Sequence, residues 1–380
     1  MAAAAAMRNG AAMGLSTPIP TSKRGLCSSF LPPLQPRSRC LGMAPGLSLP
    51  ARLGLAPSPH RPLHISASAA AQTASAPAEP PKATPSNIWL SNVTPIWKKP
   101  YFLNRTWSAS DIGIGIYLLL THLGCLLAPF TFTWKAFGVF LGMYVITGML
   151  GITLSFHRNL SHKSFTLPKW LEYTFAYCGV LALQGDPLEW VSSHRYHHQH
   201  CDTEMDPHSP YGGFWFSHLG WVIDSNLITE KVGERTNVAD LVKQPFYRFI
   251  QKTYPLHGFL AGAILYAWGG LPFLIWGGTL RITWVYHITW LVNSACHVWG
   301  NQAWKTGDLS KNNWWVGLLA FGEGWHNNHH AFEFSARHGL EWWQLDLTWY
   351  FILLLEKLGL AKNVKLPTKE QKLRVALDPS

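Results

Sequence analysis

The chain has 380 residues, of which 13% are charged, 48% are hydrophobic and 20 are tryptophan. Soluble domains carry roughly a quarter charged residues, so the composition excludes an ordinary soluble enzyme and points to a membrane protein with aromatic interface belts. The formal charge is +11, but seven of the bases and none of the acids fall within residues 1–78, which leaves little case for nucleic-acid binding.

The N-terminal 1–70 segment, opening MAAAAAMRNG, is rich in Ala, Ser, Pro and Arg and free of acids, the composition of a chloroplast transit peptide. A secretory signal would need an unbroken apolar core of roughly 7–15 residues, which the frequent Pro, Ser and Arg prevent. Residues 71–95 read as a mobile linker, 96–370 as the membrane domain and 371–380 as a C-terminal tail.

Four stretches approach the ~20 apolar residues that a bilayer-crossing helix needs: 112–130, 136–156, 256–276 and 282–300. The connections 131–135 and 277–281 are tight, so the spans are expected as two hairpins. Hairpins return the chain to one face, and Lys98, Lys99, Arg105, Arg158, Lys163, Arg195 and Lys231 all fall there. Lys135 and Arg281 occupy the opposite turns, so the positive-inside rule makes the shared face cytosol-like, or stromal in a plastid. A weaker stretch, 171–183, is too short to cross and is expected buried or along the interface. The expected fold is therefore an all-α integral membrane protein: four transmembrane helices in two hairpins, with a helical cap on the stromal/cytosolic side carrying a di-metal site.

Nine histidines fall on that face. HRNLSH supplies His157 and His162, HRYHH supplies His194, His197 and His198, and HNNHH supplies His326, His329 and His330. His297 closes the fourth span, four residues after Asn293. Helical positions i, i+3 and i+4 share a side, so each HxxHH triplet presents three imidazoles together. The HxxxxH pair is about 140° apart on an ideal helix, so its rings serve two neighbouring metals or sit where the helix unwinds. Nine imidazoles overfill any zinc site, and six cysteines without a CxxC pair offer no thiolate cluster. Imidazole suits Fe, Cu, Ni and Zn alike; a redox task selects two irons. Asn293 is a candidate water-mediated or second-layer ligand.

The isolated His122, His200, His208, His218, His257, His287 and His338 read as satisfied core or interface residues. Trp215, Trp221, Trp314, Trp315, Trp342 and Trp343 read as interface anchors. Glu323 and Asp186 are expected to orient histidine N–H groups. A narrow acyl-sized channel would be lined by spans two and four and by 171–190.

The three boxes, with LQGDPLEWVSSHRYHHQHCDTEMDPHSP and GEGWHNNHHAFEFSARHGLEWWQLDLTWY around them, resemble those of membrane fatty-acid desaturases over about residues 95–370. NSACH resembles the additional ligand stretch of the acyl-CoA delta-9 type. The resemblance implies a non-haem di-iron centre held by the nine histidines and O2-dependent insertion of one cis double bond into a saturated acyl chain of a plastid membrane lipid. Within the family it points to carbon 7 of palmitoyl groups on monogalactosyldiacylglycerol. A delta-9 acyl-lipid or acyl-CoA desaturase and a di-iron lipid hydroxylase are the alternatives. No HPGG haem-domain signature is present, so electrons must come from another protein, ferredoxin in stroma or cytochrome b5 if the protein is not plastidial. The implied location is the inner envelope or thylakoid membrane, with the active site facing stroma. A rival from another class, a metal transporter with a histidine relay, requires ligands spread through the spans.

Overall fold

The structure, a computed structural model, describes residues 105–377. The expected transit peptide and linker lie outside them. Among the described residues every named element is a helix, joined here and there by isolated backbone bridges.

Helix α1 (Ala109–Cys125) starts at a capping box: Ser108 Oγ accepts from Asp111 N at 3.1 Å, and Asp111 Oδ2 accepts from Ser108 N at 2.9 Å. Helix α2 (Trp134–Ser161) is 28 residues long and apolar enough to cross a membrane. Its second half, Val145–Ser161, is wound as a π-helix. Helix α3 (Lys169–Val180) is the predicted short apolar stretch, and it packs along that π-helical half. The crossing is so close that a Cβ on Gly151 would sit 2.5 Å from Gly179 N.

The second membrane-length stretch, Pro245–Val298, has 54 residues. Straight, it would be about 80 Å long, far more than the ~30 Å apolar thickness of a bilayer. It breaks after helix α5 (Pro245–Phe273) has begun to turn, at Gly269 and Gly270 (φ +63°), and continues through a π-helical stretch Leu274–Leu280 into helix α6 (Arg281–Val298). A Cβ on Gly278 would meet Leu265 Cδ1 at 3.9 Å. Thirteen residues of straight helix would hold those positions about 20 Å apart, so the chain doubles back at the glycine pair. The reversal is thus at 269–270, not at the predicted 277–281. A glycine accepts the positive φ at 270 without a Cβ penalty, and Pro272 suits the restart of a helix.

Only 11% of the most apolar window of Pro245–Val298 is buried against the rest of the protein, the inverse of a soluble core helix. Helices α1 and α2 both pack on the 274–298 arm. Helix α4 (Pro187–His200) lies against α2 and α5. Helix α7 (His326–Ala331) meets the end of α6 through His326 and His297. Beyond it, helix α8 (Leu347–Lys357) packs on α2, and helix α9 (Lys369–Val375) takes in the first half of the expected C-terminal tail.

Candidate metal centre and adjoining cavities

All nine predicted histidines converge. His157, His162, His194, His198 and His329 bring one ligand atom each within 4.8 Å of one another. His197, His297 and His330 do the same around a second point beside Cys201. His326 joins them, its Nε2 lying 3.0 Å from both His297 Nε2 and His330 Nε2.

The π-winding of α2 explains the odd box spacing. A π-turn closes i to i+5, and His162 N donates to His157 O at 3.2 Å. Rings five apart therefore face the same way, and both enter the first group. Of the two readings of HxxxxH, the altered helix is the one realised.

Carboxylates line the outer edges of the rings. Asp206 Oδ2 accepts from His197 Nδ1 at 3.0 Å, Asp202 Oδ2 from His297 Nδ1 at 3.2 Å, and Asp308 Oδ2 from His330 Nδ1 at 2.9 Å. Glu323 Oε2 lies 2.7 Å from His157 Nδ1. A ring that donates through Nδ1 presents a lone pair at Nε2. Yet Nε2 faces Nε2 at 3.0 Å between His157 and His329, 3.0 Å between His329 and His198, and 2.8 Å between His162 and His194. Five ring nitrogens gathered within 4.8 Å of one another are spaced to share a cation. Burial, then the neighbouring imidazoles, holds His194, His198, His326 and His329 well below the ordinary histidine pKa, so they stand neutral and ready to ligate. The donor set fits two metal ions, one per group.

Glu323 is positioned in turn. Arg158 is fully buried; its Nε donates to Glu323 Oε1 at 3.0 Å, and its Nη atoms reach Asp346. Burial alone would raise the Glu323 carboxyl, but the Arg158 charge and the contacts with His157 and His338 hold it well below the usual range.

Two cavities meet at this cage. The larger is lined by Gln184, Glu189, His208, Trp221, Thr229 and Arg235 among others. The inner one runs past Ile152, Val285 and Ile288 to Tyr144, Gly148 and Phe321. Trp190, His194, Thr289 and Asn293 line both. The predicted lining from spans two and four and from 171–190 is present, and residues 221–235 and 320–326 add to it.

Other assignments shift. Asp186 does not orient a histidine; it caps α4, accepting from Leu188 N at 2.8 Å and Glu189 N at 3.0 Å. Trp221 is buried in the cavity wall rather than anchored outside, whereas Trp215, Trp314, Trp342 and Trp343 are exposed. His338 is buried, as a core residue should be, but it sits against the cage: its ring lies 4.4 Å from that of His329, and its Nδ1 is 3.0 Å from Glu323 Oε2. His287 is satisfied as expected, between His122 Nε2 at 2.9 Å and His218 Nε2 at 3.0 Å. Asp202, Asp206 and Asp308 were not singled out in the sequence; the acid-rich CDTEMD run directly after HRYHHQH was the available signal.

A profile of the fatty acid desaturase family matches residues 91–357. The chloroplastic palmitoyl-monogalactosyldiacylglycerol delta-7 desaturase of Arabidopsis thaliana is 66% identical over 290 residues, 76% of this chain and 78% of that protein. Delta-9 acyl-lipid desaturase 1 of the same plant is 55% identical over 280 residues, covering 74% and 92%. Icosanoyl-CoA 5-desaturase of Limnanthes douglasii is 58% identical over 273 residues, covering 71% and 77%.

Proposed function

The chain belongs to the fatty acid desaturase family, and from that premise we propose that it inserts one cis double bond at carbon 7 of palmitoyl groups on monogalactosyldiacylglycerol in a chloroplast membrane. The observation that carries the reading is the junction at Trp190, His194, Thr289 and Asn293. An acyl chain threaded from the outer cavity to the inner one passes directly beside the first histidine group.

In the balanced reaction two adjacent C–H hydrogens, two protons and two electrons leave with O2 as two waters. Two irons, when bound, supply the redox chemistry that an unactivated methylene pair requires. His157, His162, His194, His198 and His329 would hold one, and His197, His297, His326 and His330 the other, with Asn293 at the cavity wall between. The protein's own task is alignment and exclusion of water. Gln184 Nε2 donates to Thr289 Oγ1 at 2.8 Å, and Trp190 Nε1 donates to Gln184 Oε1 at 3.3 Å, which fixes three side chains at the junction. One methylene in an apolar pocket changes binding by only ~1–3 kcal/mol. Position is therefore set from both ends: a headgroup on the side of the outer cavity, where Glu189 and Arg235 lie, and the wall of Tyr144 and Phe321, ring centroids 4.6 Å apart, at the inner end.

In this reading α1, α2 and the two arms of 245–298 are four membrane spans, and both histidine groups face stroma in the inner envelope or thylakoid. Electrons come from ferredoxin, or from cytochrome b5 in a non-plastid membrane. The gathering of ligands at the span ends, rather than through them, favours the enzyme over a metal-transport relay. A delta-9 position is the second reading, favoured by the 55% identity to a delta-9 acyl-lipid desaturase. The test is the double-bond profile of a null mutant, lipid class by lipid class, by mass spectrometry. Loss of the carbon-7 bond from palmitoyl groups of the galactolipid is expected; an unchanged galactolipid, or loss at carbon 9 instead, overturns the assignment.

A further inference from the structure

A third opening reaches the cage from another direction. It is lined by Ser161, His162, His330, Ala331, Glu333 and Phe334, so that its floor holds one ring from each histidine group. None of these residues lines either acyl cavity. The opening is therefore separate from the cavities assigned to the lipid.

Residues 361–365 pass beside this opening, and the chain continues from there as an exposed strap to residue 377. Lys362 exchanges backbone hydrogen bonds with Thr166, at 3.0 and 2.8 Å. Lys365 N donates to Ser164 O, and Lys365 O accepts from Ala336 N, both at 2.9 Å. Ser164 lies two residues beyond His162, and Ala336 two beyond Phe334, so Lys365 is stitched to both edges of the opening. The far end is tied to 303–305: Lys305 N donates to Val375 O at 2.7 Å and Leu377 N to Ala303 O at 3.1 Å. The strap carries Lys362, Lys365, Lys369, Lys372 and Arg374 against one acid, Glu370. Lys362, Lys365 and Arg374 are exposed and, among the described residues, make no ion pair. Lys163, beside His162, adds a further cation, paired with Asp240 at 2.9 Å, while Glu333 is the acid in the opening itself.

We propose that this basic strap and the opening beside it are the docking surface for a soluble, acidic one-electron carrier protein. The inference rests on the desaturase reading, in which each double bond consumes two electrons supplied from outside the chain. An acidic carrier is steered to a cationic rim, and seating there sets its redox centre over His162 and His330, one ring of each metal group. The lipid, entering through the other cavities, is not displaced by it.

The test uses the full-length protein in phosphatidylcholine nanodiscs with plant ferredoxin as the probe, binding being measured directly. Wild-type affinity should fall at least about tenfold between low and high salt, as the Debye length contracts from roughly 30 Å to roughly 3 Å. The triple variant Lys362→Glu, Lys365→Glu, Arg374→Glu should lose at least about tenfold in affinity at low salt. Its turnover driven by dithionite-reduced methyl viologen should stay at the wild-type level. The corresponding triple glutamine variant should show a smaller loss, and it decides the matter if the charge reversal does not fold. Salt-insensitive binding, unchanged affinity in both variants, or a strap that captures anionic vesicles in place of ferredoxin would overturn the surface. Wild-type protein that forms no product with viologen would instead overturn the desaturase reading, and the ferredoxin affinities would still judge the surface.

Discussion

Arg158 and Asp346, 188 residues apart, are joined by two parallel hydrogen bonds, Nη1 to Oδ2 at 3.0 Å and Nη2 to Oδ1 at 2.9 Å, with both side chains buried. Asp346 also accepts from the backbone N–H of His338, Gly339 and Trp349. The pair ties the end of α2 to the C-terminal segment and holds Glu323 against His157. Asp346→Ala leaves a buried guanidinium half-compensated, an imbalance that costs about 3–5 kcal/mol. A lower melting temperature and lower iron content are expected together; normal values of both in detergent-purified protein would refute the coupling.

Two groups of ligands predict separable metal losses. His329→Ala removes the ring that contacts both His157 and His198, and His297→Ala removes the one that contacts His326. Each should lower bound iron from about two ions per chain towards one, since each group is completed by several rings from different helices. Metal analysis of the purified variants checks this, and loss of both ions from either variant would mean a single shared site.

Acid should weaken the metal-free protein through its depressed histidines. His338 is held at about 4, by burial first and then by the Arg158 charge, and His208 at about 3, by burial first and then His197. The unfolded chain takes up these protons near pH 6.5 while the folded one refuses them. Stability is thus full above about pH 6.5 and falls as pH drops towards 4, at up to ~1.4 kcal/mol per pH unit for each such group. Melting temperatures of chelated protein should show this slope, and His338→Gln should reduce it.

The inner end of the acyl cavity is tight at Gly148, where a Cβ would lie 3.1 Å from the Phe321 ring and 3.3 Å from that of Tyr144. Gly148→Val should shorten the cavity. Turnover of palmitoyl substrate should fall by about tenfold or more relative to myristoyl, given the ~1–3 kcal/mol that attends each methylene mismatch. Gas chromatography of the products decides, and an unchanged chain-length preference would remove Gly148 from the wall.

A deeper clash waits at Gly151. Its Cβ would lie 2.5 Å from Gly179 N and 2.6 Å from Cys178 C, both backbone atoms that cannot swing aside. Gly151→Val should therefore force α3 off α2, with a loss of several kcal/mol, of the order of overpacking penalties or more. Absence of folded protein on size-exclusion chromatography is expected, and a normal monodisperse peak would contradict the crossing.

The histidines were legible because ligation needs fixed spacing on local helices, and HxxHH survives translation into sequence. The HRNLSH box announced its own anomaly, since no straight α-helix aligns His157 with His162. The carboxylates behind the rings were less visible: Asp206 is nine residues from its partner His197 and Asp308 is 22 from His330. Such pairs are made by loops, which obey no period. The reversal at Gly269 and Gly270 was missed because Leu271–Trp276 stays apolar, so hydropathy does not dip where the backbone turns. Trp221 was misread for a similar reason, as composition tells that an indole wants an interface but not which one.

The first histidine group draws on α2, α4 and α7, from His157 to His329. A chain still emerging from the ribosome, or halfway through a translocation pore, cannot assemble it until nearly nine-tenths of its length has been delivered. The complete five-ring group is thereby reserved for chains that have been made at least as far as His329.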